Sequence, residues 1–315
     1  MYLSKTLQKI LTQKLKQLNK LRPISASTLL KLKEKFSIEM TYNSNAIEGN
    51  TLTLKETYWI IQQGITVKEK PLKDHLEAKN QKEALDFLYE SIEYDKKNTI
   101  SEKFIKELHY LIVQDTEKQH AGLYRNIDVF ITGTEHIPPS ALDIPKKMQE
   151  FIQWIQVNTK KLSVIELAAI AHHKFVHIHP FRDGNGRTGR LIMNIFLMHA
   201  GFPLAIIQKN DRKKYYRVLS SADQENYKPL VSFVAQTVLR SLNIYLDALT
   251  PVLKKEKFIS LTEATKYCNY SQEYLSKLAR NGKIDAHKEK RNWVTSKQAV
   301  ENYIKSINTK KHPSG

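Results

Sequence analysis

Between His179 and Arg190 the chain reads HPFRDGNGRTGR, placing a histidine, a carboxylate, a Gly-Asn-Gly run and two late arginines in one short segment. Gly184, Asn185 and Gly186 suit positive φ or close backbone approach, and free N–H groups at such a turn are what a phosphate needs. Arg187 and Arg190 are three apart, so they share a face of the first helical turn if a helix starts near Asn185. Cations beside a helix N-terminus are unfavourable unless an anion neutralises them, and the pattern therefore points to an oligophosphate. Asp183 alone would repel that anion, but a carboxylate beside phosphate oxygens is where Mg²⁺ is normally held. His179 is then free to act as a base on an incoming nucleophile. The competing reading is a plain interhelical connection with a packed histidine, and the residues alone leave both open.

Two helices must hold this loop. Ser163-Val164-Ile165-Glu166 is a capping box, followed by apolar residues at Ile165, Leu167, Ala169, Ile170, Phe175 and Val176. After the loop, LIMNIFLMHAG is apolar almost all round and is stopped by Gly201 and Pro203, which predicts a buried helix. Earlier helices are predicted over residues 3–22, 28–43, 53–64 and 72–94, with another opened by the cap Ser101. Residues 120–145 break this rhythm with Gly122, Gly133, Pro138, Pro139 and Pro145. The alternating run Asn126 to Thr132 reads as one arm of a β-hairpin. A further helix is predicted over Pro229–Leu249, and PVLKKEK after it has a linker's composition.

Composition bounds the class. The 315 residues are 41% hydrophobic and 26% charged, as in an ordinary globular protein with room for two domains. No apolar run approaches bilayer-spanning length and the first residues lack a signal peptide's h-region, so the expectation is a cytoplasmic protein without a membrane partner. The single cysteine, Cys268, permits neither an internal disulfide nor a cysteine-based metal site. A formal charge of +18 suggests an acidic partner or a lysine-rich proteome.

The segment His179 to Arg190 resembles the Fic motif, H-x-F-x-D/E-G-N-G-R-x-x-R, with every fixed position filled. The resemblance implies a mainly α, Fic-type helical bundle and a protein adenylyltransferase that moves AMP from ATP, with Mg²⁺, to a Ser, Thr or Tyr hydroxyl of a protein, self-modification included. It makes His179 the catalytic base and Asp183 the metal ligand. Nucleotide contacts fall on Arg182, Asp183, Gly184, Asn185, Gly186, Arg187, Thr188, Gly189 and Arg190. The flap, a short β-hairpin whose edge aligns the target segment, is matched by Gly122, Tyr124, Arg125, Gly133, His136, Pro138 and Pro139. Tyr215 and Asp223 match the region that helps hold adenine and ribose, although Asn is commoner than Asp at the latter.

Upstream, Gly49-Asn50 reads on its own as a helix C-cap, and Glu48 as an acid in the last turn, where cations are preferred. Beside a Fic motif, Ser44-Asn45-Ala46-Ile47-Glu48-Gly49-Asn50 resembles the family's inhibitory helix pattern, S/T-x-x-x-E-G/N. That resemblance makes Glu48 inhibitory, pairing with the Arg190 guanidinium that should hold the ATP γ-phosphate.

Near the C-terminus, Ser260-Leu261-Thr262-Glu263 is a capping box and Ser271 caps a second helix through Arg280. Short strands Lys283–His287 and Asn292–Val294 follow, then a helix started by Thr295-x-x-Gln298 and a frayed tail from Asn308. Helix, turn, helix and hairpin predict a small winged helix-turn-helix domain, and the segment resembles the excisionase-like modules appended to many Fic proteins. Gln272, Ser276, Lys277, Arg280, Lys288, Lys290, Arg291 and Trp293 are its candidate DNA contacts.

The expected organisation is a helical region 1–100 with the inhibitory helix around 44–50, a Fic catalytic domain 101–250 and the winged domain 257–307, with a homodimer open. Competing functions are a DNA-binding regulator with a silent Fic fold, removal of AMP at the same site, and transfer of the terminal phosphate. The kinase-like branch of the family carries Lys where this chain has Gly186, which favours AMP transfer.

Overall fold

The structure, a computed structural model, describes residues 2–94, 100–131, 136–250, 257–289 and 291–311. Its helices are α1 (Lys5–Lys20), α2 (Ala26–Ile47), α3 (Leu54–Gln63), α4 (Leu72–Tyr94), α5 (Glu102–Val113), α6 (Ile144–Asn158), α7 (Val164–Ile178), α8 (Asn185–His199), α9 (Arg212–Asp223) and α10 (Lys228–Leu249). Then come β1 (Phe258–Ser260), α11 (Leu261–Ala264), α12 (Gln272–Arg280), β2 (Ala286–Glu289), β3 (Asn292–Ser296) and α13 (Lys297–Lys311). The chain forms two compact units, Leu30–Val231 and, together, Met1–Leu29 with Ser232–Gly315. No described helix is long and apolar enough to cross a membrane.

In the unit Leu30–Val231, α7 and α8 form the central pair, with α4, α5 and α6 around them. The Ser163 hydroxyl accepts from Glu166 N–H and the Glu166 carboxylate accepts from Ser163 N–H, so the capping box forms as its spacing predicts. Thr53 and Glu56 do the same for α3, which ends on Gly64 in the left-handed region. At Gly189 a Cβ would lie 2.9 Å from Val176 Cγ1 and 3.0 Å from His172 Nδ1, so the glycine sets how closely α8 approaches α7. Phe175, Phe181 and Phe196 are buried beside this contact. Each contributes roughly 1.5–3 kcal/mol relative to an exposed side chain.

The second unit is built on a three-stranded antiparallel sheet in the order β1-β3-β2. Its core joins Ile259 and Leu261 to Leu275, Leu278, Ile284 and Val300. β1 is an addition to the sequence reading; three residues are too few to show a period. α1 belongs to this unit. Leu7 lies against Gly282, and Lys14 Nζ pairs with Asp285 Oδ2 at 2.8 Å.

Four other expectations change. The described part of the predicted hairpin arm, residues 126–131, is assigned no strand. An isolated arm has no backbone to pair with, and the opposite side carries Pro138 and Pro139, which lack N–H donors. The cap of α13 is Ser296, whose Oγ accepts from Ala299 N–H, because the Thr295 hydroxyl donates to Asp285 O instead. α13 runs to Lys311, past the expected fraying point at Asn308. Trp293 packs against the core of its unit and not on an outer wing face. Residues 251–256 of the expected linker, Gly133 of the expected flap and Lys290, a candidate DNA contact, lie outside the described residues.

Gly189→Ala should therefore cost about 1–3 kcal/mol, the usual range for overpacking a tight contact, measured by urea unfolding. A change below ~0.5 kcal/mol would show that the two helices can part without penalty.

Candidate active site

His179 is the residue that ends α7. It takes φ +52° and ψ 57° at the C-cap while its N–H still donates to Phe175 O at 3.1 Å. Left-handed backbone is uncommon for a side chain with a Cβ, so the surroundings must hold it. Arg125 does so: its Nε donates to His179 O (2.9 Å), and its N–H donates to Pro180 O (2.9 Å). The same guanidinium reaches the segment expected to form the flap, donating to Ile127 O (2.9 Å) and Pro139 O (2.5 Å). One buried cation thus fixes both the His179 backbone and the strip of chain beside it. Burial, the main cause, with Arg125 and His136 nearby, pushes His179 down to about 4; Val176 backbone and Glu48 pull the other way. The ring is neutral at pH 7.

The loop after His179 is braced from within. Asn185 Nδ2 donates to Phe181 O (2.8 Å), while Asn185 Oδ1 accepts from Phe181 N–H (3.0 Å). Gly184, at φ +77°, starts α8 without a side-chain cap. A Cβ there would meet Val113 Cγ1 at 2.9 Å. His109 seals the outside of the loop, its ring stacked on Phe181 with centroids 3.6 Å apart. Its Nδ1 accepts from Gly122 N–H (3.0 Å), so Nε2 carries the proton donated to Asp183 O (3.0 Å).

The two arginines have different fates. Arg187 is buried, with Nη1 3.2 Å from Glu77 Oε1 and Nη2 3.3 Å from Asp183 Oδ1. Burial raises the Asp183 carboxyl, but Arg187, the Gly184 N–H and Lys73 outweigh it and hold the group below its ordinary value. Arg190 is 1% exposed. Its Nη2 donates to Glu48 Oε1 (2.7 Å) and Ser44 O (2.8 Å), and Nε donates to Ser44 Oγ (3.0 Å). The Glu48 side chain is 32% exposed. A Cβ on Gly186 would fall 2.2 Å from Glu48 Oε1, so the glycine is what lets this carboxylate in. The turn bearing Glu48 is anchored by Arg212 Nε on Ile47 O (2.7 Å) and Asn50 Nδ2 on Glu77 Oε2 (2.9 Å).

Glu48, His136, His179, Gly186, Arg190, Tyr215 and Asp223 line one open cavity of about 600 Å³, within the range of small-molecule sites. Arg182, Asp183, Gly184, Asn185, Arg187, Thr188, Gly189 and Pro138 do not line it. Arg182 points to His120 Nε2 (2.6 Å), Thr188 and Pro138 are buried, and Gly189 serves the helix contact. The Tyr215 hydroxyl bonds His172 Nε2 at 2.6 Å, and burial, the main cause, pushes it up. Asp223 Oδ1 accepts from His173 Nε2 (2.9 Å) and His177 Nδ1 (3.0 Å). Burial raises this carboxyl, yet those two bonds outweigh it and the net shift is downward.

Several of these residues carry a sequence signal of their own. His109 sits among Ile105, Leu108 and Ile112 at helical spacing, an apolar face where a histidine must find partners. His173 and His177 are four apart on α7, hence one above the other.

The solved Fic domain containing signaling protein of Bacteroides thetaiotaomicron superposes with a TM-score of 0.70 at 30% identity, over 76% of this chain and 97% of that one. The chain belongs to the Fic/DOC family. The family's own model matches residues 99–197. Fic-1 of C. elegans superposes with a TM-score of 0.69 at 29% identity, over 77% of this chain and 72% of that one. Among curated relatives, the Protein adenylyltransferase Fic of Nematostella vectensis is 39% identical over 225 residues, 71% of this chain and 52% of its own. That of Drosophila melanogaster is 36% identical over 241 residues, 76% of this chain and 48% of its own. The chain thus spans about half the length of the curated relatives it matches. In this Fic-family site His109 and His179 lie far below the ordinary histidine range.

The unfolded chain takes up protons at these histidines near pH 6.5, whereas the fold excludes them until about pH 4. Stability is therefore full above pH 6.5 and is lost as pH falls through that window. Urea unfolding at pH 7, 5.5 and 4.5 should show this fall, with a shallower slope in His109→Gln. An unchanged slope in that variant would mean His109 titrates normally in the fold.

Proposed function

We propose that this Fic-family chain is a protein adenylyltransferase restrained by Glu48. The observation that carries the reading is the position of Arg190, buried yet facing the cavity that also holds His179, with its guanidinium occupied by a partly exposed carboxylate. A guanidinium so placed suits a bidentate phosphate, and Glu48 presents the same acceptor geometry.

In the productive state the γ-phosphate takes the place of Glu48 on Arg190, and the open N–H groups of the first turn of α8 receive phosphate oxygens. Neutral His179 accepts the proton of a Ser, Thr or Tyr hydroxyl on the target protein. The hydroxyl oxygen forms a bond to the α-phosphorus as the bond to the bridging oxygen breaks, and pyrophosphate leaves with the electron pair. The flap segment held by Arg125 lies beside the base and orients the incoming chain. Asp183 Oδ1 is taken by the Gly184 N–H (2.6 Å) and Arg187 Nη2 (3.3 Å), and Oδ2, with Lys73 Nζ at 3.9 Å on a side chain 40% exposed, is the oxygen left to hold Mg²⁺. There the ion would neutralise phosphate charge, bound through one carboxylate, phosphate oxygens and waters.

The test is intact-mass analysis after incubation with Mg-ATP. Glu48→Gly should raise AMP transfer by about ten- to a hundredfold, since a charge-assisted contact is worth about 1.5–3 kcal/mol. His179→Ala and Arg190→Ala, each placed on Glu48→Gly, should return the rate to background. A phosphate adduct in place of AMP would overturn the reaction class, and an inert Glu48→Gly would overturn the restraint.

A second reading concerns residues 257–307 as a winged helix-turn-helix that binds duplex DNA. It is favoured by Gln272, Lys277 and Arg280, all exposed on α12. If Lys277 and Arg280 meet phosphates, replacing both with Ala should weaken binding alike for all sequences. It should also lower the salt slope by about two. Equal binding by the double variant would reject it.

A further inference from the structure

The turn that carries Glu48 rests on the first turns of α4. Asn45 Nδ2 donates to Glu77 O (3.2 Å), Asn50 Nδ2 to Asp74 O (3.1 Å), and Thr51 N–H (2.8 Å) and Oγ1 (2.6 Å) to Asp74 Oδ2. One contact of this shelf leads further. Glu77 Oε2 accepts from Asn50 Nδ2 at 2.9 Å, while its Oε1 lies 3.2 Å from Arg187 Nη1 on the first turn of α8.

The Glu77 side chain is 8% exposed and that of Arg187 1%, so either charge would be costly alone. Among the described residues Arg187 Nε and Nη1 have no partner in hydrogen-bond geometry, and the guanidinium is balanced by ion pairs with Glu77 and Asp183. Lys73 Nζ stands farther off, 3.8 Å from Glu77 Oε1. Asn50 is fully committed too: Nδ2 serves Asp74 O and Glu77, and Oδ1 accepts from Leu52 N–H (3.0 Å). A single buried carboxylate therefore joins α8 to the residue two places after Glu48.

We propose, building on Glu48 as the inhibitory residue, that Glu77 is a positioning residue for the restraint: with Arg187 on one oxygen and Asn50 on the other, it holds the turn where Glu48 meets Arg190. Both partners are donors, and a carboxylate offers an acceptor at each end. Glutamine has the same shape but ends in one acceptor and one donor. Whichever way it turns, its NH₂ group meets the guanidinium or the Asn50 amide. One arm breaks, and no cavity is left behind.

The experiment is AMP transfer at saturating Mg-ATP, read as self-modification by intact mass, in Glu77→Gln with and without Glu48→Gly. Where Glu48 is present, Glu77→Gln should raise the maximal rate about 2- to 10-fold, the worth of one hydrogen bond, and it should leave the rate of Glu48→Gly unchanged. The Glu48, Gly49 and Asn50 amides, each bonded back into α2, should exchange hydrogen faster by a similar factor while those of α6 keep their rates. A merely structural Glu77 would lower the rate in both backgrounds. Thermal melts identify a variant that fails to fold, and Asn50→Ala, which breaks the same contact from the turn, then carries the test. Equal change in both backgrounds, or no gain with Glu48 present, overturns the role of Glu77 while Glu48→Gly remains active. An inert Glu48→Gly overturns the restraint itself, and the role of Glu77 with it.

Discussion

A guanidinium taken out of water has to be paired, and Arg190, almost wholly buried, meets that requirement by drawing in the end of α2. Ser44 supplies two acceptors from inside the helix and Glu48 a third from its last turn. The contact dictates what lies around it. Gly186 must lack a Cβ, and Arg212 and Asn50 must hold the turn from either side. Because Glu48 keeps a third of its side chain in solvent while Arg190 has almost none, the carboxylate is the partner that can leave. Another bidentate anion entering the cavity meets a cation already desolvated and aimed.

His179, the proposed base, is positioned by a different device. His179 stands in a backbone region that few residues with a Cβ occupy, and Arg125 holds its carbonyl together with those of Ile127 and Pro139. Asn185 and His109 then fix the loop from its two faces. Burial, the greatest influence on both histidines, keeps these rings neutral, which suits a proton acceptor and a fixed donor respectively. Strain, braces and depressed basicity belong to one local design.

Much of this was legible in the sequence because it is local. Ser163 with Glu166 and Gly201 with Pro203 frame the two central helices, and α4 begins and ends where its pattern does. The motif carries His179, Gly186 and Arg190 into the cavity together with the distant Glu48. What could not be read depends on pairing across the chain. Arg187 is buried against Glu77, a residue no local pattern connects to it. His109 and Asp223 gain their partners only when α5, α7 and α9 assemble. The predicted hairpin arm has alternation but no neighbouring strand among the described residues, and alternation alone does not make a ladder. β1 is set by β3, thirty-odd residues later, and three residues carry no period of their own.

Competition between Glu48 and the γ-phosphate for Arg190 is the central proposal, and nucleotide discrimination tests it most directly. Calorimetry would compare ATP with ADP on the wild-type chain and on Glu48→Gly. With Arg190 held by Glu48 the γ-phosphate gains nothing, so the wild type should bind the two nucleotides about equally. Once the carboxylate is gone, ATP should bind tighter than ADP by about ten- to a hundredfold, the worth of one charge-assisted contact. The same ATP-to-ADP ratio in both proteins would contradict it.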